Sequence, residues 1–124
     1  MRNNAPKTIF CDLDGTLTKH PGPDFSTSLQ DPNYELELLP GVKEFLYTID
    51  VNSYHLVITT GRKESGREAT VKQLQKVGIL YDQLIMGFGG GDRILINDRK
   101  TDSNRDTAYS INLKRNEGVT DVKI

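Results

Sequence analysis

The sequence has no tryptophan, one cysteine, two histidines and two methionines. A lone Cys11 cannot close an internal disulfide, so the chain is expected to fold without cross-links and in a reducing compartment. An excess of one charge is missing too, because the formal net charge is -1. Without a basic excess, a nucleic-acid backbone is not an expected partner. Without a polybasic run, neither is a membrane surface. No apolar run approaches the roughly 20 residues needed to cross a bilayer. Met1 to Lys7 is polar and lacks the apolar stretch of a secretion signal. The expected location is the cytoplasm. There is no internal repeat and no low-complexity tract.

What is present suits a folded enzyme-sized unit. The chain has 124 residues, 35% hydrophobic and 27% charged. That length can bury a real core, and the composition is ordinary for a globular protein. Residues 1–124 are therefore read as one domain.

Apolar runs and their spacing give the order of elements. Thr8 to Leu13 reads as a buried strand ending in carboxylates. Thr18 to Leu39 is rich in Pro, Gly, Asp and Ser and reads as a loop or flap. Pro40 suits a first helical turn, and Val42, Phe45, Leu46 and Ile49 follow at helical spacing. Tyr54 to Thr59 is a second strand. Glu64 to Val77 is a helix with Val71, Leu74 and Val77 on one side and Gly78 as its stop. Leu84 to Met86 is a short third strand, Gly87 to Gly91 a loop, and Ile94 to Ile96 a fourth strand. Ala108 to Ile111 is a candidate fifth. Alternating strands and helices predict an α/β fold, a three-layer α/β/α Rossmann-like, mostly parallel sheet. The flap is the only insert, and there is no room for a cap domain.

In such sheets ligands gather at the carboxyl ends of the strands. Three strands here end in polar residues: Asp12-Leu13-Asp14, Thr59-Thr60-Gly61-Arg62 and Asn97-Asp98. If the strands are parallel, these ends share one edge. Two nearby carboxylates repel each other, and a divalent cation relieves that cost; hard oxygen donors favour magnesium. Asp98, or neutral Asn97, supplies a further oxygen. An aspartate can attack phosphorus and form a covalent intermediate, while a second aspartate moves the proton. Thr60 can donate to a phosphate oxygen, and Arg62 or nearby amides add positive potential.

This pattern resembles the haloacid dehalogenase superfamily of phosphatases. Asp12-Leu13-Asp14-Gly15-Thr16 resembles its first motif, and Leu56-Val57-Ile58-Thr59-Thr60 its second. Thr60-Gly61-Arg62 resembles the variant found in its small sugar-phosphate phosphatases. Asp98-Arg99-Lys100-Thr101-Asp102 resembles its fourth. The resemblance spans about Lys7 to Asp102. It implies a magnesium-dependent phosphatase working through an aspartyl-phosphate on a small phosphorylated metabolite such as a sugar phosphate. Asp12 is then the nucleophile, Asp14 the acid/base, and Thr60 the phosphate ligand, with Gly61 and Arg62 beside it. Magnesium is held by the side chains of Asp12 and Asp98 and by the Asp14 backbone carbonyl. The catalytic cation before the fourth strand is Arg93, with Lys72 and Lys100 as alternatives. Asn97 and Asp102 are further candidates for the metal site. Capless relatives act on large substrates or close the site with a neighbouring subunit, so a homo-oligomer fits. A catalytically weak domain with a binding or regulatory role is the alternative reading.

The glycine-rich Gly87 to Gly91 has a superficial likeness to a dinucleotide fingerprint. That fingerprint needs a following helix, and an apolar strand is expected there instead.

Overall fold

Three of the apolar runs become strands. In the computed structural model, which describes residues 5–124, these are β1 (Thr8–Asp12), β2 (His55–Thr59) and β3 (Gln83–Ile85). They form one sheet in the order β1-β2-β3, with both pairings parallel. Asp12 pairs with Thr59, and Thr59 with Ile85, so the three carboxyl ends lie level. This is a Rossmann-like α/β arrangement. In the central strand Leu56, Val57 and Ile58 are all buried, as a continuous apolar run implies.

Helical crossovers connect the parallel strands, as parallel pairing requires. α2 (Val42–Val51) joins β1 to β2, and α3 (Arg67–Val77) joins β2 to β3. α2 buries Val42 and Ile49 and packs Phe45 and Leu46 against the core, the face expected from their spacing. Burying one such aliphatic side chain contributes about 1.5–3 kcal/mol. α3 follows a short 3-10 turn, Glu64–Gly66, and stops at Gly78. The φ of Gly78 is 83°, and its N–H donates to the carbonyls of Leu74 and Gln75.

The insert is more ordered than its composition suggests. It carries a 3-10 turn (Gly22–Asp24) and a short helix α1 (Phe25–Gln30) that packs on α3. Its base is closed by Lys19 N–H to the Glu37 carbonyl (2.9 Å) and Leu39 N–H to the Leu17 carbonyl (3.0 Å). Among the described residues, no helix is long and apolar enough to cross a membrane.

The fourth and fifth strands expected from the sequence do not form. Ile94, Leu95 and Ile96 are 85, 61 and 90% exposed. An apolar run becomes a strand only when a sheet edge takes its N–H and C=O groups. Here the chain leaves β3 through the glycine loop, which folds back over Gly61, and the run never reaches the free edge of β1. Ala108 to Ile111 is likewise irregular. The C-terminal residues return to the body instead. Val119 enters the core, and its N–H bonds the Pro40 carbonyl at 2.9 Å. Gly118 lies so close to Pro40 that a side chain there would collide with its backbone.

Candidate active site

A tight turn after β1 sets the two leading aspartates. The Leu13 carbonyl accepts the N–H groups of Thr16, Leu17 and Thr18 (3.2, 3.0 and 3.2 Å). Gly15 makes this turn with φ 92°, where a side chain is strained. Leu13 is fully buried, and its neighbours Asp12 and Asp14 stand at the carboxyl end of β1. The Asp12 carboxylate accepts the Thr16 hydroxyl at 3.0 Å. Burial raises the Asp12 carboxyl above its ordinary value. The Thr16 bond opposes that, the Asp14 charge adds to it, and the Arg93 charge and the Leu13 amide oppose it further. Asp12 is thus a carboxylate kept short of solvent.

Asp14 is held from the other strand end. Arg62 donates Nε to Asp14 Oδ2 and Nη2 to Asp14 Oδ1, both at 2.8 Å. The remaining nitrogen, Nη1, donates to Thr70 Oγ1 (3.0 Å) and Gln73 Oε1 (2.7 Å) on α3. Arg62 is 2% exposed. Sequence reasoning placed Arg62 against the substrate phosphate. The geometry corrects this: a buried guanidinium committed to a bidentate carboxylate pair and two helix side chains has no free face for a ligand. Its role is to fix Asp14.

Thr60 is buried where expected, one residue past β2. Its N–H bonds the Ile85 carbonyl, and its hydroxyl oxygen accepts the Arg62 N–H at 3.2 Å. That leaves the hydroxyl hydrogen available to a ligand. Gly61 is glycine for a packing reason, since a Cβ there would strike the Gly89 carbonyl. The glycine loop therefore lies directly over the second motif. It also carries Arg93, whose guanidinium sits 4.6 Å from the Phe88 ring centroid and donates to the Gly89 carbonyl at 3.2 Å. Of the three basic candidates, Arg93 is the one whose charge is felt at Asp12. Lys72 pairs with Glu68 on the outer side of α3. Lys100 lies in an exposed loop, where its N–H bonds the Arg105 carbonyl.

That loop also holds Asp98. The Asn97 side chain and Asp98 carbonyl meet the Thr107 hydroxyl, and Arg99 pairs with Asp106 at 2.6 Å. Asn97, Asp98 and Asp102 are all exposed. Among the described residues, no three acidic, histidine or cysteine side chains gather to hold an ion. The expected set of Asp12, Asp14 and Asp98 is therefore not assembled. The Arg62 pair occupies both Asp14 carboxylate oxygens but not its backbone carbonyl, the atom expected to face the ion, and Asp12 keeps one carboxylate oxygen free. These donors do not complete a magnesium site, and the physical reason is the missing fourth strand that was to carry Asp98.

Four residues at the site have no assigned role in the sequence reading: Thr16, Thr70, Gln73 and Asn116. Thr16 stands there only as part of the first motif. Thr70 and Gln73 are fully buried polar residues on α3. Their signal was available: they interrupt the helix face that also carries Leu74 and Val77, and polar groups on a buried face need partners. Nothing local in the sequence marks Asn116, whose N–H bonds the Gly15 carbonyl (2.9 Å) and whose side-chain oxygen accepts the His20 N–H (2.7 Å).

No family model and no curated protein matches the chain. Solved structures do. A chain of a Pnkp1/Rnl/Hen1 complex is 31% identical over 72% of this chain, with a TM-score of 0.57. A chain of the Pnkp1/Rnl/Hen1 RNA repair complex is 28% identical over 86%, with a TM-score of 0.56. This chain spans about 30% of the length of each of them. A structural-genomics target from Vibrio cholerae is 25% identical, covering 77% of this chain and 82% of its own, with a TM-score of 0.52. These likenesses support the α/β fold.

Proposed function

We propose that the chain is a phosphohydrolase of the haloacid dehalogenase type, with Asp12 as nucleophile and Asp14 as the group that moves the proton. The observation that carries this reading is the convergence of Asp12, Asp14 and Thr60 at adjacent parallel strand ends, with Arg62 locking Asp14 and the Arg93 charge acting on Asp12. An Asp12 oxygen attacks phosphorus as the ester P–O bond breaks, and the departing oxygen takes a proton that the Asp14 carboxylate, ionised against Arg62, first draws from solvent. Water then attacks phosphorus, gives its proton to Asp14, and releases phosphate from Asp12. Asp14 returns that proton to solvent, and both residues regain their starting state. The Thr60 hydroxyl donates to a phosphoryl oxygen, and Arg93 lowers the repulsion between an anionic ester and Asp12.

Magnesium dependence is carried by the motif resemblance alone. The substrate class best supported by the motifs is a small phosphorylated metabolite such as a sugar phosphate. The likeness to chains of RNA repair complexes favours a second class, a phosphate on an RNA end. The incomplete cation set favours a third reading, a binding or regulatory domain with little turnover. Phosphate release from an aryl phosphate, measured with and without magnesium, tests the proposal. It requires activity in the wild type and its loss in Asp12→Asn. Calorimetric binding of a phosphate analogue without any turnover would replace it with the regulatory reading.

A further inference from the structure

Among the described residues Gln73 is the largest fully buried polar side chain, and the proposed proton transfer does not use it. It is fully buried on α3. Its oxygen accepts from Arg62 Nη1 at 2.7 Å. Its nitrogen donates to two backbone carbonyls of the insert, Ser28 (3.0 Å) and Asp31 (2.8 Å). Both donors and the acceptor of the carboxamide are thus used. Its orientation is dictated by its partners. A flipped amide would set its N–H groups against a guanidinium and its oxygen against two carbonyls.

The result is an unbroken relay of hydrogen bonds. It runs from the backbone where α1 ends, through the Gln73 amide and the Arg62 guanidinium, to both oxygens of Asp14. Among the described residues, the insert's other side-chain hydrogen bond to α3 lies at the surface, where exposed Lys76 donates to the Asn33 carbonyl at 3.2 Å. Gln73 is therefore the buried tie. Hydrogen bonds in a dry chain polarise one another, and a change at one end is felt at the other. Four of the five Arg62 N–H donors are committed, two to Asp14 and two to α3, so a shift at Gln73 moves the same rigid guanidinium that grips Asp14.

We infer that Gln73 is a positioning residue that couples the insert to Asp14 through Arg62, so that the placement of Ser28 to Asp31 sets how Asp14 is presented to the leaving group. This rests on the phosphohydrolase reading for its catalytic consequence, but not for the coupling itself. If the insert shifts when a substrate docks, Asp14 is re-aimed from a distance. If Asp14 is disturbed, the insert loosens, because coupling between two sites is reciprocal.

Two measurements test this. The first compares turnover of an aryl phosphate with that of a simple alkyl phosphate in the wild type, Gln73→Leu and Gln73→Glu. The aryl leaving group needs little protonation, whereas the alkyl group depends on Asp14. Misaimed general-acid groups lose on the order of 10²-fold in rate. The expected result is a fall of about that size in kcat for the alkyl ester, a much smaller fall for the aryl ester, and KM little changed. An equal fall for both esters would mean that Gln73 only supports the fold, and would overturn the inference. The second measurement needs no activity. Hydrogen exchange is followed at the Tyr34 amide, which bonds the Asp31 carbonyl at 3.0 Å, in the wild type and in Asp14→Asn. Faster exchange in the variant, with amides of β2 unchanged, supports the coupling; unchanged exchange at Tyr34 refutes it. A wild type inactive on both esters would remove the phosphohydrolase reading, and the exchange experiment would still decide the relay.

Discussion

Removing the Arg62 side chain, as in Arg62→Met, should be among the most damaging single changes in this protein. The side chains of Arg62 and Asp14 are 1% and 7% exposed, and they meet through two bonds of 2.8 Å. Without the guanidinium, the Asp14 charge is left in a site cut off from water, and Thr70 and Gln73 each lose a donor. Deleting one partner of a buried ion pair costs about 3–5 kcal/mol. Against a total of roughly 5–15 kcal/mol for a domain, that is from about a fifth of the stability to all of it. With a urea m-value of about 2 kcal/mol/M, the midpoint should fall by about 1.5–2.5 M. The double variant Arg62→Met with Asp14→Leu removes both charges and should lose less than Arg62→Met alone. Arg62→Lys should not rescue, since an ammonium cannot reproduce the side-on fork. Urea unfolding of these variants and of the single Asp14→Leu checks this. A loss under about 1 kcal/mol in Arg62→Met, or a double variant whose loss equals the sum of the singles, would refute the reasoning.

The remaining predictions concern buried groups around the same turn. Burial holds the Asp12 carboxyl above its ordinary 3.8. The protonated form therefore supports the fold below that value, and the support is lost as pH rises through the higher folded value. Asp12→Asn should accordingly melt above the wild type near neutral pH in metal-free buffer, with the gap narrowing as the pH is lowered toward about 4; an equal or larger gap in acid would contradict it. Burial, with the Asp12 charge adding to it, pushes the Cys11 thiol up to about 12. A thiol reagent at neutral pH should label Cys11 only after denaturation, and rapid labelling of the native protein would disprove that burial. Among the described residues, Thr18 Oγ1 is the buried side-chain polar atom without a partner. Such an unsatisfied hydroxyl costs about 1–3 kcal/mol, so Thr18→Val should be neutral or stabilising by thermal melting. Arg93→Met should slow aryl phosphate turnover, because it removes the cation felt at Asp12; unchanged kcat/KM would exclude that role.

Local pattern alone determined the parts of this protein that depend on near neighbours. β1, β2, β3, α2 and α3 fall where apolar spacing put them, because a buried run and a 3.6-residue stripe are properties of short windows. The parallel order then follows from strand–helix–strand alternation, and with it the meeting of Asp12, Asp14 and Thr60 at one edge. Ile94 to Ile96 had the same local signal and formed no strand, since a strand needs a partner edge that its own residues do not encode. Asp98 lost its place in the site for that reason. Arg62 was visible as a basic residue beside the second motif, but whether it faced a ligand or a carboxylate depended on Asp14, 48 positions away. Gln73 and Asn116 depend in the same way on segments distant in sequence. Sequence by itself determined which chemistry is present and on which strand ends. Only the tertiary structure decided which charges pair and which polar groups are sealed from water, because Coulomb energy and desolvation depend on distances through space and not along the chain.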